Sequence, residues 1–233
     1  MLRLLVHVEG KTEEAFVNNL LREHLIQHGY QRVGARIVGN SRLRDKRGGI
    51  RPWDAVRRDI LDHLAEDPGA IATTLVDFYA LPQSWPGRTE ASGKRGASNK
   101  AEHLESALMA DLVRLSGNRF NPRRFVPFVV MHEFEGLLFS HPENFASAIK
   151  RVDLTGSFAE IRGRFETPED INDSEHTAPS KQILSLYPQY QKPLQGTRAA
   201  TAIGLAAIRA ECPHFHDWLN RLENLPLELA YLG

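Results

Sequence analysis

Along the first 140 residues, apolar positions alternate between two spacings. Leu2, Leu4, Leu5, Val6 and Val8 make a short, nearly continuous apolar run interrupted only by Arg3 and His7, the pattern of a central parallel strand. Residues 13–26 then carry Ala15, Phe16, Leu20, Leu21 and Leu25 at close to helical spacing, with Thr12 available as a cap and Gly29 as a stop. The alternation repeats. Strands are predicted over 33–38, 70–76 and 125–131, and helices over 54–65 and 100–115. The order β-α-β-α-β-α-β predicts an α/β fold: a mostly parallel sheet of about four strands with helices on both faces.

Beyond Ser140 the pattern becomes helical and irregular. Candidate helices cover 142–149, 155–165, 180–187, 199–211 and 214–225, with a turn over 167–172. We therefore expect an α/β core over 1–140 and a helical extension over 141–233, packed together as one unit. Two stretches look like loops: 40–52, rich in Arg and Gly, and 78–99, which holds Pro82, Pro86, Gly87, Gly93 and Gly96. Loops of that length are usually functional or disordered.

Composition narrows the function classes. The chain has 233 residues and a single cysteine, Cys212, so neither an intrachain disulfide nor a cysteine zinc cluster is available. No apolar run approaches the roughly 20 residues of a membrane span. A cytoplasmic protein without membrane contact is expected. Net charge is zero, yet nine Lys/Arg face three acids between Arg32 and Asp59. Basic segments such as Arg42, Arg44, Lys46 and Arg47, and Lys94 with Arg95, suit a phosphate backbone, although a solvated basic surface has the same composition. Trp53 and Trp85 lie in or beside these segments, where they could stack on bases, although core packing is expected of at least one.

The chemistry-bearing residues fall at strand ends. Glu9, Asp77 and the Glu133/Glu135 pair each follow a predicted strand, on the edge where open α/β sheets bind ligands. Taken singly, each could be a helix cap or a surface acid. Converging carboxylates need a cation, and hard oxygen donors point to Mg2+ or Mn2+, whose usual partner is a phosphoryl group. Glu9, Asp77 and Glu133 are the expected ligands. Glu133 and Glu135 would face one side on a strand, but on a helix they would diverge by about 200°, leaving one as a ligand and the other structural. Lys11 sits in the Glu9 turn, within reach of a phosphate. Lys181 opens a short helix whose free amides favour an anion, which would suit a phosphoryl transition state. His214, His216 and Cys212 are weaker candidates, better read as capping, surface and buried apolar residues.

The segment Val8-Glu9-Gly10-Lys11-Thr12-Glu13 resembles the first element of the TOPRIM (topoisomerase-primase) fold, a Glu in a small-residue turn after the first strand. That family pairs it with Asp-x-Asp after a later strand, together holding Mg2+. Here Asp77-Phe78-Tyr79 keeps only the first Asp. A second resemblance spans nearly the whole chain and is to the bacterial family numbered 4276 among domains of unknown function. It rests on Glu9–Glu13, on Asp77-Phe78-Tyr79-Ala80-Leu81-Pro82, on His132-Glu133-Phe134-Glu135-Gly136 through Phe139, on Pro168–Asn172 with Thr177–Lys181, and on Ile203-Gly204-Leu205 with Cys212–Phe215. The family resemblance implies no settled activity; it implies a setting, that of companions of ATPases in phage-defence or mobile-element clusters, similar to the overcoming-lysogenisation-defect nucleases that carry a TOPRIM domain. Within that setting the carboxylates predict a Mg2+-dependent nuclease of DNA or RNA, or a related phosphoryl-transfer enzyme. The alternative is a degenerate module that binds nucleic acid or that ATPase without catalysis. The lack of a Gly-x-x-x-x-Gly-Lys-Ser/Thr loop argues against ATP hydrolysis in cis.

Overall fold

The first strand of the chain lies in the middle of its sheet. In a computed structural model, which describes residues 1–38, 50–66, 68–117, 121–171 and 177–230, β1 (Arg3–Val8) is flanked in parallel by β2 (Arg32–Ile37) and β3 (Ala70–Asp77). Every residue of β3 is buried, as a strand covered on both faces must be. The expected last strand is two pieces, β4 (Phe125–Val126) and β5 (Val129–Val130), both parallel to β3. Pro127 separates them because it has no N–H for the ladder. Thr74 bridges the gap: its Oγ1 donates to the Phe128 carbonyl at 2.8 Å and accepts the Phe128 N–H at 2.9 Å. The resulting order is β2-β1-β3 followed by β4 and β5 on one edge.

Between β1 and β2 the chain runs as α1 (Lys11–Phe16), a π-helical turn (Val17–Leu21) and α2 (Arg22–Gln27). Gly10, not Thr12, occupies the cap position. The Gly10 N–H donates to Glu13 Oε2 at 3.0 Å, and Thr12 is buried in the first turn. Next come α3 (Trp53–Glu66), α4 (Arg88–Ser92) and α5 (Ala97–Ser116). The predicted 78–99 loop is thus structured in part, by α4, by a 3-10 turn (Phe78–Ala80) and by the early start of α5. Trp85 of this segment and Trp53 at the start of α3 are buried 4.9 Å apart, with the Trp53 indole N–H on Asp111 and the Trp85 indole N–H on the Arg51 carbonyl. Neither is free to stack on a base.

A 3-10 segment (Phe134–Ser140), α6 (Pro142–Ala148), α7 (Thr155–Arg162), α8 (Pro179–Leu186), α9 (Thr197–Glu211) and α10 (Pro213–Ala230) complete the chain. The 141–233 region is not peripheral. Its Phe145, Phe158, Ile208, Phe215 and Leu219 share one buried cluster with Val6, Phe16, Leu75 and Phe134 of the core. Trp218 of α10 stacks on Phe128 at 4.3 Å, and its Nε1–H donates to Thr73 Oγ1 of β3 at 2.9 Å.

Two acids hold helix starts in place. Glu169 accepts the N–H groups of His214 and Phe215, both at 2.9 Å, at the start of α10. Asp170 accepts the Ala97 N–H at 3.3 Å at the start of α5. A carboxylate there satisfies orphan donors and meets the positive end of the helix dipole.

Trp218→Ala removes both the stack and the hydrogen bond, so it is expected to destabilise the fold by about 3–5 kcal/mol. The denaturant midpoint measures this, and an unchanged midpoint would show that α10 is held by other contacts.

Candidate functional site: a buried carboxylate cluster around Lys192

The parallel register brings the acidic residues together. Val8 of β1 lies opposite Leu75 of β3, so Glu9 emerges beside the last residues of β3, next to Asp77. Asp77 in turn faces Val130 of β5, and the chain beyond Val130 returns over the same edge. Asp77 is buried, and its Oδ1 accepts the Phe134 N–H at 2.8 Å. That bond fixes the start of the 3-10 segment, whose next residue is Glu135.

Glu133 and Glu135 diverge. Glu133 is extended, and its Oε2 accepts the Ser180 N–H at 2.9 Å, in the first turn of α8. Glu135 is fully buried and points towards Asp77. Of the pair, Glu135 joins the acidic cluster, whereas Glu133 serves as an anchor for α8. The anion expected at the α8 start is therefore the protein's own carboxylate. Lys181 lies exposed on that helix, with no ion pair to the cluster.

The cation at the centre is Lys192, from a π-helical turn (Lys192–Gly196) that precedes α9. Its Nζ donates to Asp77 Oδ2 at 2.9 Å and lies 3.0 Å from Glu135 Oε2 and 3.6 Å from Glu13 Oε1. Glu13 is 2 % exposed and Glu135 is 0 % exposed, whereas a third of the Lys192 side chain reaches solvent. Gly196 lets this turn approach: a Cβ there would sit 2.9 Å from the Tyr190 hydroxyl and 3.6 Å from Thr12 Cγ2. Sequence reasoning missed both Glu13 and Lys192. Glu13 reads as a first-turn acid, and Lys192 stands before Pro193 in a region with no strand pattern.

One ammonium cannot neutralise Glu9, Glu13, Asp77 and Glu135. Burial, and then the neighbouring Asp77, push the Glu9 carboxyl up to about 9. Burial raises Glu13 as well and moves Glu135 to about 7, although Lys192 opposes both shifts. Burial works against the Lys192 charge, but the surrounding carboxylates hold its pKa well above the usual lysine value. Glu9 Oε2, Glu13 Oε1 and Glu135 Oε1 are buried without a hydrogen-bond donor. Unpaired buried carboxylate oxygens are costly, and an all-oxygen donor set suits a hard cation. Even so, no three donors of this cluster lie within 4.8 Å of one another, so Glu9, Asp77 and Glu133 do not form a closed three-carboxylate cage. Mg2+ needs less, since it is commonly held by one or two carboxylates with water completing its shell.

The other expected site residues lie elsewhere. Lys11 is exposed and pairs with Glu14 at 2.7 Å. Lys94 and Arg95 line a surface hollow of about 410 Å³ with Asn99, Glu102, His103 and Ser106, none of which belongs to the cluster. Arg42, Arg44, Lys46 and Arg47 lie outside the described residues. Tyr79 packs its ring 5.2 Å from His132. The further carboxylate beside Asp77 is that of Glu135. Cys212 is buried against Ser140, and burial pushes its thiol well above the ordinary range. His214 bonds Glu105 at 2.9 Å, while His216 is exposed on α10 beside Arg209.

Fold and site define a parallel-sheet α/β protein with an acidic, lysine-centred cluster at the carboxyl edge. The chain belongs to the family described as domain of unknown function (DUF4276), whose model matches residues 8–223. Searches of curated proteins and of solved structures returned no match. Among the described residues, no helix is long and apolar enough to cross a membrane.

The raised Glu9 carboxyl fixes the sign of a pH effect. A carboxyl raised on folding contributes stability that is complete below its unfolded value near 4.5 and is lost as pH rises through about 9. Glu9→Gln in EDTA is therefore expected to raise the melting temperature at pH 8 and leave it nearly unchanged at pH 4. Equal shifts at both values would mean that Glu9 is not desolvated.

Proposed function

We propose that this protein is a Mg2+- or Mn2+-dependent enzyme acting on phosphodiesters, most simply a nuclease of DNA or RNA. The observation that carries the reading is the excess of buried carboxylate over cation: Glu9, Glu13, Asp77 and Glu135 surround one ammonium, and three of their oxygens have no donor. Glu9 and Asp77, with Glu135 or Glu13, would hold the ion, directly or through water. When bound, the ion supplies charge neutralisation at the phosphate and a lowered pKa for an attacking water.

The chain's own residues have separate roles. Asp77 is kept in position by the Phe134 N–H. Lys192, compact and partly exposed, neutralises Asp77 and Glu135 and would meet a phosphate oxygen, the role expected of Lys181 from sequence. Glu133 holds α8 against the site through Ser180. The similarity of Glu9–Glu13 and Asp77 to TOPRIM elements, and hence to nucleases with an ATPase partner in defence clusters, agrees with this reading.

A second reading is favoured by one observation. Lys192 already pairs with Asp77 and Glu135, so the cluster can stand as a structural charge network. The protein would then be a catalytically silent module that binds nucleic acid or an ATPase.

The test is incubation of single- and double-stranded DNA and RNA with the protein in Mg2+ or Mn2+, with melting temperature followed in parallel. The enzymatic reading expects metal-dependent cleavage that falls in Asp77→Ala by more than about 100-fold, the upper end of the cost of losing an outer-shell metal partner. It also expects a metal-induced stabilisation that Glu9→Ala abolishes. Absence of both effects favours the silent module.

A further inference from the structure

We infer that His24, His28 and Glu223 form a second cation site, for a divalent transition metal such as Zn2+ or Ni2+, which ties the first helical run to the last helix. The inference does not depend on the proposed phosphodiester chemistry. It uses a different face of the molecule and a different donor set.

Each of the three residues offers one donor atom, and these atoms all lie within 4.8 Å of one another, the only such group of three His, Cys, Asp or Glu residues among those described. His24 and His28 are one helical turn apart, at the end of α2, so both rings project from the same side. The rings lie 4.5 Å apart. Glu223 reaches them from α10, with Oε1 at 2.6 Å from His24 Nε2.

Two further contacts prepare the donors. His28 Nδ1 lies 2.8 Å from the His24 carbonyl. A carbonyl can only accept, so Nδ1 carries the proton and Nε2 keeps its lone pair. Metal-binding histidines are commonly fixed by such a bond from the other ring nitrogen. Arg209 donates to both oxygens of Glu223, at 2.6 and 2.9 Å, and so fixes the plane of the carboxylate. Glu223 and Arg209 cancel in charge, leaving two imidazoles and one shared carboxylate. That set suits a borderline metal ion and not Mg2+. His28 is exposed, so water can complete the shell. His24 and Glu223 are 199 residues apart in the chain, so the ion would join its two ends. An ion that binds only the folded chain stabilises it by mass action.

The experiment uses the full chain, free of any histidine tag and freed of metal with EDTA. Zn2+ and Mg2+ are titrated by calorimetry and by melting temperature, with His28→Ala, Glu223→Gln and Asp77→Ala compared with the native protein. The expected result is one Zn2+ per chain with a rise in melting temperature. His28→Ala and Glu223→Gln should each weaken Zn2+ binding by about 10–100-fold or more, while Asp77→Ala leaves it unchanged. Melting temperatures in EDTA show whether each variant is folded. Failure of Zn2+ to bind overturns the proposal. So does binding that survives in both His28→Ala and Glu223→Gln, which would place the ion on His103, His141 or His216. Binding lost in Asp77→Ala also overturns it, by placing Zn2+ in the carboxylate cluster. The first two outcomes leave the Mg2+-dependent reading untouched, whereas the third would show a divalent cation in the carboxylate cluster.

Discussion

The rest of the structure is arranged around one electrostatic constraint: carboxylates are buried at the end of a parallel sheet with a single ammonium among them. The β1–β3 register brings Glu9 beside Asp77, and neither can be moved without shifting the whole strand. Glu13 is locked one turn into α1 because its other oxygen closes the Gly10 cap. Glu135 is delivered by a 3-10 segment whose start is bonded to Asp77 itself. Desolvation and mutual repulsion both disfavour the charged forms, and Lys192 offsets only part of that. The counter-charge comes from the helical C-terminal region, so that region is required by the α/β core for electrostatics as well as for apolar burial.

The same region also shares the apolar core of the sheet. Trp218 and Phe215 enter the core cluster from α10, while Glu169 fixes the start of the same helix through two backbone bonds. Asp170, the next residue, does the same for α5. The Pro168-Glu169-Asp170 segment, one of those carrying the family resemblance, thus has a complete structural role. So does Glu133 at α8. Glu133, an acid that looks catalytic in the sequence, turns out to hold a helix start.

What the sequence made legible follows from the range of each interaction. The strands and the strand-end positions of Glu9 and Asp77 are set by local apolar pattern, and they could be read directly. The break at Pro127 was also written in the chain, since the missing N–H is a property of the residue, although 125–131 read as one strand. The choice between Glu133 and Glu135 was not legible, because it depends on whether the backbone after β5 is extended or helical. Lys192 was further out of reach. It lies 115 residues from Asp77, and no periodicity relates the two. Trp53 and Trp85 lie between these cases: local pattern allowed both stacking and core packing, and tertiary packing decided it by burying both indoles.

The identity of the central cation bears on what the cluster can do. An arginine would hold carboxylates in a rigid, bidentate fork, whereas a lysine is a compact charge on a flexible stem. Lys192 meets Asp77 at 2.9 Å and Glu135 at 3.0 Å while a third of its side chain remains open to solvent. Its withdrawal would leave buried carboxylate oxygens, already short of donors, with a stronger demand for another positive charge. A purely structural network gains little from that arrangement, because apolar residues of similar volume are often at least as stabilising as a buried ion pair. Partial satisfaction around one partly exposed ammonium is better suited to a site that takes up a cation and turns its lysine towards an anionic substrate. That asymmetry is the physical ground for preferring the enzymatic reading over the silent one.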